Sequence, residues 1–374
     1  MATKSTIGLP KIIISFRQTA TETAERSERG TVYLILRDGT DGTAGVHTYT
    51  RASALRNDQN KYTEGNYQYL TDALAAGPAE VIAVVIGEED AVDDALAAID
   101  KMGTNGRITV ANGTAEDYAA LVSFAKTAEE QALGWHVLTY GEGGADCKHV
   151  ENLSSKIVGT VEWTDSDRGT TSGVEFLPRL AGILSACNVE RSATMYEVAD
   201  LCDVTAAEAD DTPDIDKVID AGNLCLYNDH GSVCIARGIN TLQTINDVDN
   251  TDQMRFIDIV EIIDLLRDEI QTLFRTQYLG QRKNSADNQA NFISDLISLM
   301  GNLEKQEILD DDFENTAAVD VDAMRAYWEA AGTDTGEMTD DDIKKKTIGR
   351  EVYVQITFKP LGAMEGLTVA GKLE

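Results

Sequence analysis

From Gly30 onward, short β-branched runs alternate with amphipathic segments, and a chain written that way has few places to put its strands. Each crossover helix returns the next strand in the same direction, which produces a largely parallel sheet with helices on its faces. Residues 31–36, 81–86, 107–111, 136–140 and 157–163 are the expected strands, with helices over 67–76, 90–101, 115–132 and 147–156. Glu88, Glu89 and Asp90 lie where negative charge suits the positive end of the second helix.

The segment VEFLPRLAGILSA after Gly173 predicts another helix, and an irregular acidic stretch follows over 208–220. Residues 224–228 and 233–239 flank the turn Asp229-His230-Gly231-Ser232 as a hairpin. Near Asn246 the pattern changes. Phe256, Ile259, Ile263, Leu266, Ile270 and Phe274 recur at helical spacing within one long helix over 251–280, and Gly280 is its stop. Ser285 or Asp287 opens a second helix carrying Phe292, Leu296, Met300 and Leu303, so the two form a hairpin.

Between Glu304 and Lys346 lie 14 acidic and 5 basic residues around a short helix at 321–331. The period then switches to two, with Val352, Val354, Ile356 and Phe358 on one face of a strand. Beyond Pro360 a weaker strand is expected at Leu367, Thr368, Val369 and Ala370. At the other end Ile12, Ile13, Ile14 and Phe16 form a strand held off the core by the polar linker 17–29. The expected organisation is an N-terminal arm (1–18), an α/β domain with a mixed, largely parallel sheet (19–245), a C-terminal α+β domain (246–360) and a C-terminal arm (361–374).

Charge and motif arguments narrow the function. Against 32 basic residues stand 64 acidic ones, a net of −32 over 374 residues, which repels nucleic-acid phosphate and anionic lipid. No run approaches the roughly 18 apolar residues of a membrane span, and MATKSTIGLPK lacks a signal-peptide core, so cytosolic folding is expected. Cys147, Cys187, Cys202, Cys225 and Cys234 are odd in number and widely spaced, which signals reduced, buried thiols and neither a disulfide framework nor a zinc site. Asp229-His230-Gly231-Ser232 packs triad residue types into one turn, where they cannot meet in catalytic geometry. Gly141-Glu142-Gly143-Gly144 lacks the lysine of a phosphate loop, and Asp247-Val248-Asp249-Asn250-Thr251-Asp252 has Asp252 where a calcium loop needs glycine, so it reads as a helix cap. The runs 310–312 and 340–342 read as solvated faces. No catalytic residue, metal or cofactor is expected.

The order of these landmarks resembles the tail-sheath proteins of contractile phages, phage-tail-like bacteriocins and related injection machines, in the short form of Gram-positive hosts. The resemblance is carried by GLPKIIISFRQTATETAERSERGTVYLILRD (8–38), VEFLPRLAGILSACNVERSATMYEV (174–198), LYNDHGSVCIARGINTLQT (226–244), MRFIDIVEIIDLLRDEIQTLFRTQYLGQRKNS (254–285) and the terminal strand with its tail. It implies a non-catalytic, subtilisin-like α/β domain in a sleeve of six-membered rings. That sleeve surrounds an inner tube, meets baseplate and terminator proteins, and contracts to drive the tube through a cell envelope. It also implies assembly in a bacterial host cytoplasm, without nucleic-acid or membrane partners.

On the same basis the two terminal strands add to neighbouring subunits, with Val352, Val354, Ile356 and Phe358 as acceptor strand. Arg275, Arg282 and Lys283, a rare basic cluster, are expected to contact the tube; the competing role is neutralising Asp268, Glu269 and Asp287. An α/β enzyme with its site at the strands' carboxyl ends and a non-contractile self-assembling protein remain as alternatives.

Overall fold

The computed structural model describes residues 29–369, apart from 41–42, 190, 207–213 and 247–249. Its first lobe runs β1 (Thr31–Arg37), β2 (Gly45–Tyr49), α1 (Ala52–Asn57), α2 (Glu64–Ala75), β3 (Glu80–Ile86), α3 (Val92–Ile99), β4 (Asn105–Val110), α4 (Ala115–Glu130), β5 (Gly134–Gly141) and β6 (Val150–Ser154). The strands form one sheet in the order β2-β3-β1-β4-β5-β6. All neighbours are parallel except β2, which pairs antiparallel with β3 at one edge. The mixed, largely parallel sheet expected from the alternation is therefore present. Val32–Leu36 is buried without alternation, as a strand covered on both faces must be.

Two expectations in this lobe fail. Residues 147–156 are not a helix: 150–154 form β6, parallel to β5. All five of its residues are buried, so no period of two marks it, and Glu151 and Asn152 are tolerated inside because partners from other elements meet them. The 157–163 segment does not join the parallel sheet. Instead β7 (Thr160–Trp163) pairs antiparallel with β8 (Thr170–Ser172) and later with β9 (Leu201–Thr205) in a separate sheet, where Val161 is buried and Glu162 exposed.

Between those strands lies α5 (Leu177–Cys187), nearly all buried, with Pro178 in its first turn. After β9, α6 (Ile215–Asp220) occupies the end of the stretch expected to be irregular, with the Asp214 carboxylate accepting from Asp216 N. The expected hairpin is β10 (Leu226–Asp229) and β11 (Ser232–Ile235), its turn using positive φ at His230 and Gly231. Four cysteines are buried; Cys202 is exposed, because β9 belongs to the small sheet with one solvated face.

The second lobe contains α7 (Ile257–Gln277), α8 (Ala286–Glu304), β12 (Thr316–Val319), α9 (Val321–Ala330), α10 (Asp340–Lys345) and β13 (Val354–Thr357). The helix expected from 251 begins later, after a 3-10 turn at Asp252–Arg255, and Phe256 occupies its N-cap position. The acidic segment before it is therefore not its cap; residues 247–249 lie outside the described set. The α7–α8 hairpin closes on Phe292, whose ring stands 5.4 Å from Phe274 and 4.9 Å from Tyr278. The run 340–342 is the first turn of α10, capped by Thr339 and reciprocally by Asp342.

Candidate functional site

Helix α7 is buried continuously from Ile257 to Leu266 and on to Arg267. Its acids Glu261, Asp264 and Asp268 are spaced by three and four residues, which places them on one face. That face meets the first lobe. From β4, Arg107 donates through Nε and Nη2 to Glu151 at 2.8 and 2.8 Å, and through Nη2 to Glu261 at 3.1 Å. Arg29, just ahead of β1, donates to Glu261 at 2.9 Å and to Asp268 at 2.6 Å. Arg267 supplies a further cation, its Nη2 2.7 Å from Asp264.

Two histidines complete the lattice. His136 on β5 places Nδ1 2.9 Å from Glu151 and Nε2 3.2 Å from Asp264. His149, just before β6, places Nε2 3.0 Å from the same Asp264 oxygen and Nδ1 3.1 Å from Glu129. An ionised carboxylate can only accept, so an imidazole with a carboxylate at each nitrogen is held in its doubly protonated form. Burial opposes that charge, but Glu261, Asp264 and Glu151 outweigh it and raise His136 to about 9. Likewise Asp264, Cys147 and Glu129 outweigh burial and raise His149 to about 10. Burial pushes the carboxyls upward, yet Arg107 and His136 bring Glu151 down to about 2, and Arg267 and His149 hold Asp264 well below its usual range.

His136, His149 and Asp264 bring three donor atoms within 4.8 Å of one another, as do Glu129, Cys147 and His149. These donors already satisfy each other as imidazolium–carboxylate pairs, and Arg267 sits on Asp264. The lattice fits the fixing of one docking register between lobes, since replacing buried ion pairs by apolar groups often stabilises while removing one partner is costly. Its one thiol, Cys147, donates to Glu129 at 3.2 Å, a carboxylate also paired with Lys148 and His149.

The residues singled out in the sequence lie elsewhere and do not converge. Ile12, Ile13, Ile14, Phe16 and Ala370 fall outside the described residues. Leu367, Thr368 and Val369 are described but form no strand; Leu367 is 89% and Val369 77% exposed. An extended segment without a partner strand has no ladder to join. In the expected acceptor, Val354 and Ile356 belong to β13, paired with Val319 and Ala317 of β12, while Val352 and Phe358 flank it. All four pack against the α7–α8 core, and among the described residues no strand pairs with the other edge of β13.

Arg275 lies in the last turn of α7, and Arg282 and Lys283 occupy the bend; all three are exposed. Among the described residues none of them has an ion pair, and Asp268 is instead met by Arg29 and Arg267. At the hairpin turn His230 contacts Asp229 at 2.7 Å, but Ser232 donates to Glu197, so the triad types do not assemble.

The buried lattice has no counterpart in the sequence expectations. Its members come from six separate segments, and neither histidine has a metal-type or catalytic spacing. One signal was available: Glu261, Asp264 and Asp268 recur at helical spacing in a helix too apolar to expose a wide face.

Comparison with known proteins follows the same lines. Residues 249–374 match the phage tail sheath C-terminal domain. The tail sheath protein of Clostridium phage phiCD119 is 26% identical over 97% of this chain and 98% of its own length. The helical sheath of the anti-feeding prophage in its contracted state superposes with a TM-score of 0.68 at 12% identity, covering 99% of this chain and 100% of that one. A sheath tail protein from Desulfitobacterium hafniense gives a TM-score of 0.66 at 14% identity, covering 83% of this chain and 93% of its own. The fold is that of tail-sheath proteins, and the resemblance read from the residues holds.

Proposed function

We propose that this chain is the structural, non-catalytic subunit of a contractile tail sheath, polymerising as six-membered rings around an inner tube and shortening to drive that tube through a cell envelope. The observation that carries the proposal is the end-to-end likeness to a curated tail sheath protein, 26% identical over 97% of the chain. Likeness in fold to a chain of the anti-feeding prophage baseplate, with a TM-score of 0.66 over 99% of this chain, supports a baseplate as a further partner.

The described geometry suits that role. Buried ion pairs join α7 to β4, β5 and His149 across the two lobes, and we assign movement during contraction to the chain ends. We assign 1–18 and 361–374 as arms that pair with neighbours, 19–245 and 246–360 as the domains between them, and the α7–α8 bend with Arg275, Arg282 and Lys283 as the tube-facing contact. Among the described residues no strand pairs with the outer edge of β13, which supports its role as acceptor. Among the described residues no helix is long and apolar enough to cross a membrane.

Co-expression with the cognate tube protein and negative-stain imaging tests the proposal. Striated sleeves in a long and a short form are expected. Absence of sleeves, or a single lattice that never shortens, would overturn it.

A further inference from the structure

Within 361–369, only Glu365 is not exposed. Its carboxylate sits in a notch of the first lobe. There Oε1 accepts from the Thr194 hydroxyl at 2.5 Å and lies 3.0 Å from the Ser192 hydroxyl, and Oε2 accepts from Arg237 Nε at 2.9 Å. Only 12% of the Glu365 side chain is exposed.

The walls of the notch are also bonded to one another. Thr194 N donates to Ser192 Oγ at 3.1 Å, and Gly238 N donates to Thr194 Oγ1 at 2.9 Å. The Arg237 guanidinium lies over the Phe256 ring at 5.1 Å. A side chain at Gly238 would crowd Ser192 Oγ, at 3.2 Å, so the absence of a Cβ keeps the two walls together.

The path to the notch is stitched as well. Lys359 N donates to Asn315 at 2.9 Å, Leu361 N to Ile308 O at 3.4 Å, and Ala363 N to Asp258 at 3.3 Å. Beyond Glu365 come Gly366 and three exposed residues with no described bond.

We propose that Glu365 is the positioning residue of the C-terminal arm: its clamp to Arg237, Ser192 and Thr194 moves the arm's root from Ala363, bonded to Asp258 of α7, onto the first lobe and sets the pivot at Gly366. This rests on the sheath reading for its purpose, not for its geometry. With the clamp closed the free chain begins at Gly366; without it, the free chain begins at residue 364, after the Ala363 N bond to Asp258. Effective concentration at a fixed acceptor falls with chain length, so release weakens each arm contact and also removes its direction. That weakening compounds over successive contacts, so sleeve length falls before protein yield does.

Hydrogen exchange on the purified full-length monomer reads the clamp, and sleeve length on tubes reads its purpose. Glu365→Gln and Glu365→Arg are expected to speed exchange at 361–365 while leaving the melting temperature unchanged, and to shorten sleeves. Pairing Glu365→Arg with Arg237→Glu is expected to restore both, which ties sleeve length to this ion pair rather than to either residue alone. Unchanged exchange at 361–365 in both single variants would overturn the clamp. Faster exchange with sleeves of normal length would overturn the positioning role. Failure of wild-type protein to form sleeves would count against the sheath reading, and exchange alone would then decide whether the clamp exists.

Discussion

Asp264 of α7 and His149 ahead of β6 stand 3.0 Å apart with 1% of either side chain exposed. A charge pair removed from water this completely cannot lose one member and leave the other comfortable. The same aspartate oxygen serves His136, so one carboxylate holds two cations of the first lobe to a helix of the second.

Asp264→Ala is therefore expected to destabilise the protein by about 3–5 kcal/mol, because it strands buried cations. Asp264→Asn keeps the shape and one acceptor and should cost less. Equilibrium urea unfolding measures both, and a loss below about 1 kcal/mol for the alanine variant would show that the pair is not desolvated as described.

Stability should fall on the alkaline side. The folded values of His136 and His149, about 9 and about 10, lie above the ordinary 6.5 of an imidazole. A raised value means that the contribution is complete below 6.5 and is lost as pH rises through 9 to 10. The groups facing them, Glu151, Glu261, Asp264 and Glu129, are all lowered, so their contribution is lost only in acid. Melting temperatures from pH 7 to 10 should drop more steeply for wild type than for a His136→Gln/His149→Gln variant. Parallel slopes would exclude the histidines as the cause.

How much of this was legible in the sequence depends on range. The parallel strands showed as short β-branched runs between amphipathic segments, and the α7–α8 hairpin as a local helical period, of which Phe292, Leu296, Met300 and Leu303 are the plainest case. Strand β6 was misread because Val150 is its only β-branched residue, and because Glu151 is paired with Arg107 on β4, 44 residues away. Asp264 and His149 are separated by 115 residues, and no spacing rule connects them. Residues 367–369 looked strand-forming and are not in a strand, since a strand's ladder partner is not written in its own residues.

A tight helix contact gives a third expectation. Gly182 on α5 faces the Ala73 backbone of α2, and a Cβ there would overlap the Ala73 carbonyl oxygen. Backbone cannot rotate away as a side chain can, so Gly182→Ala should cost about 1–3 kcal/mol despite the better helix propensity of alanine. Thermal melts would show it. A variant as stable as wild type would mean that α2 and α5 shift apart freely.

Charge reversal at the bend separates fold from assembly. Arg282 and Lys283 are exposed and unpaired among the described residues, so Arg282→Glu/Lys283→Glu should change stability by less than about 0.5 kcal/mol. If the bend faces the tube, co-assembly should drop while the monomer melts normally. Equal sleeve yield on tubes would remove the bend from the contact.

The last expectation concerns the tail itself. Chain 361–365 is bound to the body, whereas Leu367 and Val369 present apolar side chains to solvent with no strand beside them among the described residues. Exposed residues that stabilise nothing in the single chain should be removable, so deleting 366–374 is expected to leave the melting temperature unchanged. The same segment can add about four main-chain hydrogen bonds to a neighbour's open strand edge, at roughly 0.5–1.5 kcal/mol each. One such contact is weak, but repeated along a sleeve it decides whether the sleeve survives while globular surfaces exchange partners. Val369→Pro removes one ladder donor without shortening the chain, and should reproduce the deletion's assembly defect in weaker form. Sleeves of normal length and normal contraction from the deleted chain would show that the globular faces alone hold the lattice together.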